Sequence, residues 1–152
     1  MEAQEHWVVR LNRRNRTVFF ALMVPVLGSH LVFIQAGLLE WILLALQFLL
    51  YPQLAYWRAR RSADPLRAEM QNLLIDDVLL GMWVASWGFP LWIAFMLFIS
   101  TCLNLMIFHG RRGLSKVILA MLTGVLVVAL VDGLRFRPDT SLLTASLCML
   151  AL

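Results

Sequence analysis

The feature that most constrains this chain is a series of apolar runs, each about long enough to cross a lipid bilayer, with arginines gathered at every second boundary between them. Crossing a hydrocarbon core of about 30 Å takes about 20 residues of helix. The runs Thr17–Ala36, Leu38–Trp57, Pro65–Trp87, Leu91–Phe108 and Val117–Leu134 all approach that length, and a shorter one, Thr140–Leu152, follows. The hydrophobic fraction of 61% against 14% charged residues, with a mean hydropathy of +0.79, excludes a water-soluble globule and a disordered chain alike. The expected fold class is therefore all-α integral membrane: five full transmembrane helices plus Thr140–Leu152, which is too short to span at 1.5 Å per residue and is either an interfacial helix or, the preferred reading, a truncated sixth span.

Orientation follows from the charges. Of the 13 basic residues, Arg10, Arg13, Arg14 and Arg16 precede the first run, Arg58, Arg60, Arg61 and Arg67 lie between the second and third, and Arg111, Arg112 and Lys116 follow the fourth. Only Arg135 and Arg137 fall on the opposite side. The positive-inside rule then predicts a cytoplasmic N-terminus and a multi-pass protein of the bacterial inner membrane. Because these charges sit in separate loops and form no single basic face, the pI near 9.8 points to no nucleic acid partner. The first run is too long for a signal-peptide core of roughly 7–15 residues, so it reads as a retained span. Residues 1–16 form a basic cytoplasmic leader and 17–152 a transmembrane domain.

Local signals divide the runs. Asp64-Pro65 is a helix start, with the carboxylate positioned to accept orphan backbone N–H bonds and proline at the first helical position. Ala36-Gly37 and Gly88-Phe89-Pro90 mark tight outer turns, His109–Gly113 a cytoplasmic one, and Arg135–Asp139 an outer loop. Tyr51, Tyr56 and Trp57 are placed as aromatic-belt residues at the end of the second run. Cys102 and Cys148 lie inside apolar runs as packing residues.

Ionisable groups inside a span cost about 2.5–3.5 kcal/mol each at mid-helix, so they need partners or a role. In the third run Glu69, Asn72, Asp76 and Trp83 recur at helical spacing and fall on one face, which should turn to the protein interior. Asp76 at its centre is either a relay or sensing switch or a group that fixes helix packing, while Asp77 is expected on another face in contact with water. Asn104 in the fourth run is a candidate inter-helix hydrogen-bonding group. Glu40 and Asp132 sit at outer span ends, and Gly81/Ala85, Ala120/Gly124 and Ala129/Gly133 are small-residue pairs that permit close helix approach. His30 and His109 would stand about 20 Å apart along the membrane normal, too far to share one iron, and His6 has no partner. No catalytic residue, cofactor or metal site is read from the sequence, so the chain is not expected to be an enzyme by itself.

Several stretches together resemble a family. Ala63-Asp64-Pro65, Glu69, Asn72-Leu73, Asp76, Gly81-Met82-Trp83 and Cys102-Leu103-Asn104-Leu105-Met106 are similar to the second class of membrane-associated sensor domains (MASE), and Tyr51-Pro52-Gln53-Leu54-Ala55 resembles the end of that family's second span. Two positions depart: the family usually has His where Gln53 stands, and an Asn-x-Leu-Pro turn where this chain has Pro90 and then Trp92-Ile93. The resemblance implies a sensory and anchoring module whose cytoplasmic output domain, absent from this chain, is a diguanylate cyclase making cyclic-di-GMP. A class III adenylate cyclase is the alternative output. Since such cyclases work as pairs, it also implies a homodimer. The rival from another class is a small transporter or channel subunit, in which Asp76, Asn104 and Asp132 would line a path through the lipid bilayer.

Overall fold

The computed structural model describes residues 7–152, apart from the side chains of residues 108 and 109, and all of its regular structure is helical. Six helical rods follow one another: α1 (Trp7–Phe33), a second rod made of α2 (Leu38–Ala45), a π-helical turn (Leu46–Leu50) and α3 (Tyr51–Arg61), then α4 (Pro65–Ser86), α5 (Leu91–His109), α6 (Arg111–Val131) and α7 (Leu142–Ala151). The chain divides into two compact units, one ending at Asn72 and one beginning at Leu73, and α4 runs through the boundary.

Three rods are long and apolar enough to cross a membrane: Trp7–Phe33, Leu38–Arg61 and Arg111–Val131. The fold is thus helical and of membrane type, but length and hydropathy do not support the five full spans expected from the runs. α4 falls short in hydropathy because it carries Arg67, Glu69, Asp76 and Asp77. Among the described side chains the apolar stretch of α5 covers Leu91–Ile107, and α7 has 10 residues. Burial is inverted relative to a soluble protein. Leu130, Val131, Leu142 and Leu150 are each more than three-quarters exposed, whereas Arg16, Glu69, Asn72, Asp76 and Asp77 are buried. Such a surface suits hydrocarbon, and the polar groups retreat from it.

In the first unit α1 packs antiparallel along the second rod. Val9 clusters with Tyr56, Ala59 and Ala68, Thr17 faces Gln53, Phe20 meets Phe48 at 5.0 Å between ring centroids, and Gly28 lies against the Trp41 ring. This register explains why α1 starts at Trp7, ten residues before the expected span: Val9, Asn12, Arg16, Phe20, Met23 and Leu27 form one buried stripe that extends back into the basic leader. Residues 7–16 are therefore helical, and His6 lies outside the described residues. Of the expected aromatic belt only Trp57 is exposed, because Tyr56 is buried beneath the Arg13 guanidinium and Tyr51 stacks on Phe20. The π-helical turn precedes Pro52, whose ring cannot accept a normal carbonyl four residues back. One extra residue per turn relieves that clash without ending the rod.

In the second unit α6 packs on α4 and α5, and α7 on α5. Two of the three small-residue pairs supply the contact. A Cβ at Gly81 would fall 2.3 Å from the Met121 carbonyl oxygen, and one at Gly124 2.1 Å from that of Val78, so α4 and α6 touch backbone to backbone. The third pair does not take part, since Gly133 has open space around it. The turn between α4 and α5 bends through Gly88 (φ +79°) and Phe89 (φ +62°) before Pro90. It is pinned to the loop after α6 by two backbone bonds, Arg137 N–H to Gly88 O at 2.7 Å and Leu91 N–H to Pro138 O at 3.1 Å. Gly110 alone separates α5 from α6, so the turn expected at His109–Gly113 is shorter. Arg111, Arg112 and Lys116 begin a helix because Gly113 and Val117 are buried by its packing. The Ser141 hydroxyl caps α7 by accepting from Thr144 N–H.

Candidate functional site

The first unit holds a buried polar cluster at its arginine-rich end. Asp64 caps α4 as expected, its carboxylate accepting from the Arg67 N–H at 2.9 Å with Pro65 at the first helical position. One turn on, Glu69 is fully buried, and its Oε1 lies 2.8 Å from Arg16 Nη1 on α1. Asn72, a turn further, donates through Nδ2 to Glu69 Oε2 at 3.1 Å and to the Ala55 carbonyl of α3 at 2.9 Å. Three elements are thus tied together by one carboxylate and one amide. Around the cluster, Arg13 lies over the Tyr56 ring at 4.2 Å from its centroid, and Arg58 donates to the Ala68 carbonyl and to Gln71, both at 3.2 Å.

A buried ion pair of this kind resists disruption more than it stabilises. Desolvating both charges consumes much of their attraction, yet removing one partner strands the other in an apolar interior. Such a pair therefore selects one register of α1 against α4. Arg16 is the residue that sequence reasoning missed, because it was counted with Arg10, Arg13 and Arg14 as an orientation marker. The signal was present in its spacing from Val9, Asn12 and Phe20, which places it on the inward stripe.

Glu69 and Asn72, two of the predicted stripe residues, come together directly. Asp76, Trp83 and Asn104 belong to the second unit. Asp76 and Trp83 are buried there, with Trp83 against Trp87 at 4.7 Å between ring centroids, and Asn104 is half-buried on α5. Asp77 is also buried, against the expectation that it meets water, since its face of α4 is covered as well. Gln53, at the position where the family usually has His, places its Nε2 3.5 Å from Thr17 Oγ1, a contact at the long limit of a hydrogen bond. His30 is buried in α1, and the His109 side chain lies outside the described residues. Cys102 and Cys148 are both buried and free. Among the described residues no three His, Cys, Asp or Glu side chains are grouped to hold a metal ion.

The model of the MASE2 domain matches residues 12–99. Among curated proteins, the chain is 36% identical over 84 residues to the probable diguanylate cyclase DgcC of Escherichia coli strain K12, a match covering 55% of this chain and 23% of that protein. The probable diguanylate cyclase DgcC of Escherichia coli O6:H1 strain CFT073 matches with the same identity and coverage. The chain thus matches less than a quarter of the length of these relatives. No solved structure matches. The matched segment takes in Arg16, Glu69, Asn72, Asp76 and Trp83 and exceeds half of the chain, and on that ground the protein belongs to the MASE2 domain family.

Proposed function

We propose that this chain is the membrane-embedded input and anchoring module of a diguanylate cyclase. The observation that carries the reading is the MASE2 match over residues 12–99, which encloses the buried Arg16–Glu69–Asn72 cluster. The relatives named as probable diguanylate cyclases support the choice of output. Catalysis in this reading belongs to a cytoplasmic domain outside the chain, and two copies pair so that their output domains meet.

In the proposed topology five rods cross the inner membrane with the N-terminus in the cytoplasm. α4 joins the three plainly apolar rods because its Glu69, Asp76 and Asp77 are buried, so that hydropathy alone underrates the apolar surface it offers to lipid. α5 joins on the strength of Leu91–Ile107. Signal passes as a shift between two packings of the rods. The Arg16–Glu69 pair holds α4 in one register against α1, and sliding by a helical turn of about 5.4 Å would break it. Asp76 is the proposed sensing residue on the same helix, with Trp83 and Asn104 as packing groups.

The test is a fusion of this chain to a GGDEF-type diguanylate cyclase domain, read as cyclic-di-GMP in cells. Glu69→Gln and Asp76→Asn should each change output at equal membrane abundance. Output that tracks protein level alone in both variants would remove the switch role. Separately, a cysteine at Ser62 or Ser115 should be labelled by an impermeant maleimide only after the inner membrane is opened. Labelling of either from the periplasm in intact cells would overturn the topology.

A further inference from the structure

The arginine-rich end of the first unit does more than orient the chain. Seven arginines of α1 and α3 gather there, and the structure sorts them into two kinds. Arg16 alone is buried, on Glu69, whereas Arg13 and Arg58 are exposed but held by the unit's own groups, on Tyr56, and on Ala68 with Gln71. Arg10, Arg14, Arg60 and Arg61 are exposed as well, none of the four forms an ion pair with an acid among the described residues, and Arg61 rests on the exposed Trp57 ring. Each exposed pair lies beside a tryptophan in a cleft. The first cleft, about 390 Å³, is lined by Trp7, Arg10, Leu11 and Arg14 along one face of α1. The second, about 370 Å³, is lined by Trp57, Arg60 and Arg61 on α3. Both are open grooves on the surface rather than enclosed pockets.

The antiparallel register of α1 against α3, with Val9 beside Ala59, puts both clefts at the same end of the unit. Trp7 and Trp57 are both more than half exposed, and Arg61 lies over the Trp57 ring at 4.8 Å from its centroid. An indole at the end of an apolar rod settles at headgroup depth, and a guanidinium beside it presents a planar fork of donors suited to a phosphodiester. No acid occurs between Trp7 and Arg16 or between Trp57 and Arg61, so nothing within either segment competes for the cations.

We propose that these two clefts each hold the headgroup of an anionic phospholipid, making the first unit a reader of acidic lipid at the membrane surface. The proposal rests on the chain lying in a bilayer but needs no cyclase partner, so a lipid assay can fail while the fusion assay succeeds, and the reverse.

The experiment is native mass spectrometry of the full 152-residue chain in detergent, titrated with palmitoyl-oleoyl phosphatidylglycerol or with the zwitterionic phosphatidylcholine. Two phosphatidylglycerol molecules should be retained in preference to phosphatidylcholine. R10Q/R14Q and R60Q/R61Q should each lose one of them. At about five-fold per arginine near an anionic surface, each double variant should weaken its site by about twenty-five-fold. R135Q/R137Q, which removes the same charge elsewhere, should keep both lipids. Millimolar inorganic phosphate should not displace them. Equal retention of the two lipids, equal loss in R135Q/R137Q, or displacement by inorganic phosphate would overturn the proposal. The wild-type chain supplies a second readout that does not depend on the variants folding. Its tryptophan fluorescence in nanodiscs should be quenched more by brominated phosphatidylglycerol than by brominated phosphatidylcholine, and equal quenching would count against the clefts.

Discussion

Glu69→Ala is the perturbation that most directly tests whether the buried cluster fixes the register of the first unit. It removes the carboxylate 2.8 Å from Arg16 and one of the two acceptors of the Asn72 amide. Arg16 is buried and cannot shed its proton, so the stranded guanidinium must either stay desolvated or drag its segment of α1 toward water. Breaking a buried pair in this way costs about 3–5 kcal/mol. At about 2–4 °C per kcal/mol for a chain of this length, even the lower figure lowers the unfolding midpoint by roughly 6–12 °C. Removing both charges should be far milder. Arg16→Met with Glu69→Leu leaves no charge behind, and only the Asn72 amide loses an acceptor, a loss of about 1 kcal/mol. The double variant should therefore be more stable than either of its single variants, Arg16→Met and Glu69→Leu, with a coupling energy of at least about 2 kcal/mol. The assay is thermal unfolding of wild type, Glu69→Ala, Arg16→Met, Glu69→Leu and the double variant in one detergent, followed by helical circular dichroism. A Glu69→Ala midpoint within 2 °C of wild type, or additive losses in the double variant, would refute the argument.

Three further outcomes follow from particular contacts. Gly124→Ala should destabilise by about 1–3 kcal/mol in the same assay, because its Cβ would fall against the Val78 carbonyl and the α4–α6 backbones must part; an unchanged midpoint would remove that backbone contact from the explanation. Gly88→Ala should lose more than Gly133→Ala, since both have positive φ but only Gly88 is crowded, with Arg137 N 3.0 Å from the added Cβ; equal midpoints would remove crowding from the explanation. Asp64→Ala should weaken the start of α4 by about 1 kcal/mol, with faster amide exchange at Arg67, whereas Asp64→Asn should largely keep both.

Much of the fold was legible in the chain because hydrocarbon imposes simple rules. Apolar length, the Asp64-Pro65 cap and the turn before Pro90 are local or nearly local signals, and each corresponds to a helical rod or an element boundary. The stripe of Glu69, Asn72, Asp76 and Trp83 was legible too, since period 3.6 places them inward whatever their neighbours are. Small-residue spacing marked three possible contacts without ranking them, because a glycine acquires meaning only when another backbone arrives beside it. Gly81 and Gly124 met that condition and Gly133 did not.

What tertiary structure decided was which charges have partners. Arg16 is one of four arginines in a row of basic positions, and composition treats them alike; the packing of α1 against α3 and α4 buries that one on Glu69, places Arg13 on Tyr56 and leaves Arg10 and Arg14 outside. Likewise the helical face of Asp77 predicts contact with water, yet Asp77 is buried. Alternation of charge and apolar length is enough to say that a chain enters a membrane, because desolvation energy is nearly additive along the sequence. Pairing is not additive: it depends on two residues dozens of positions apart reaching within about 3 Å, and only the packed helices set that distance.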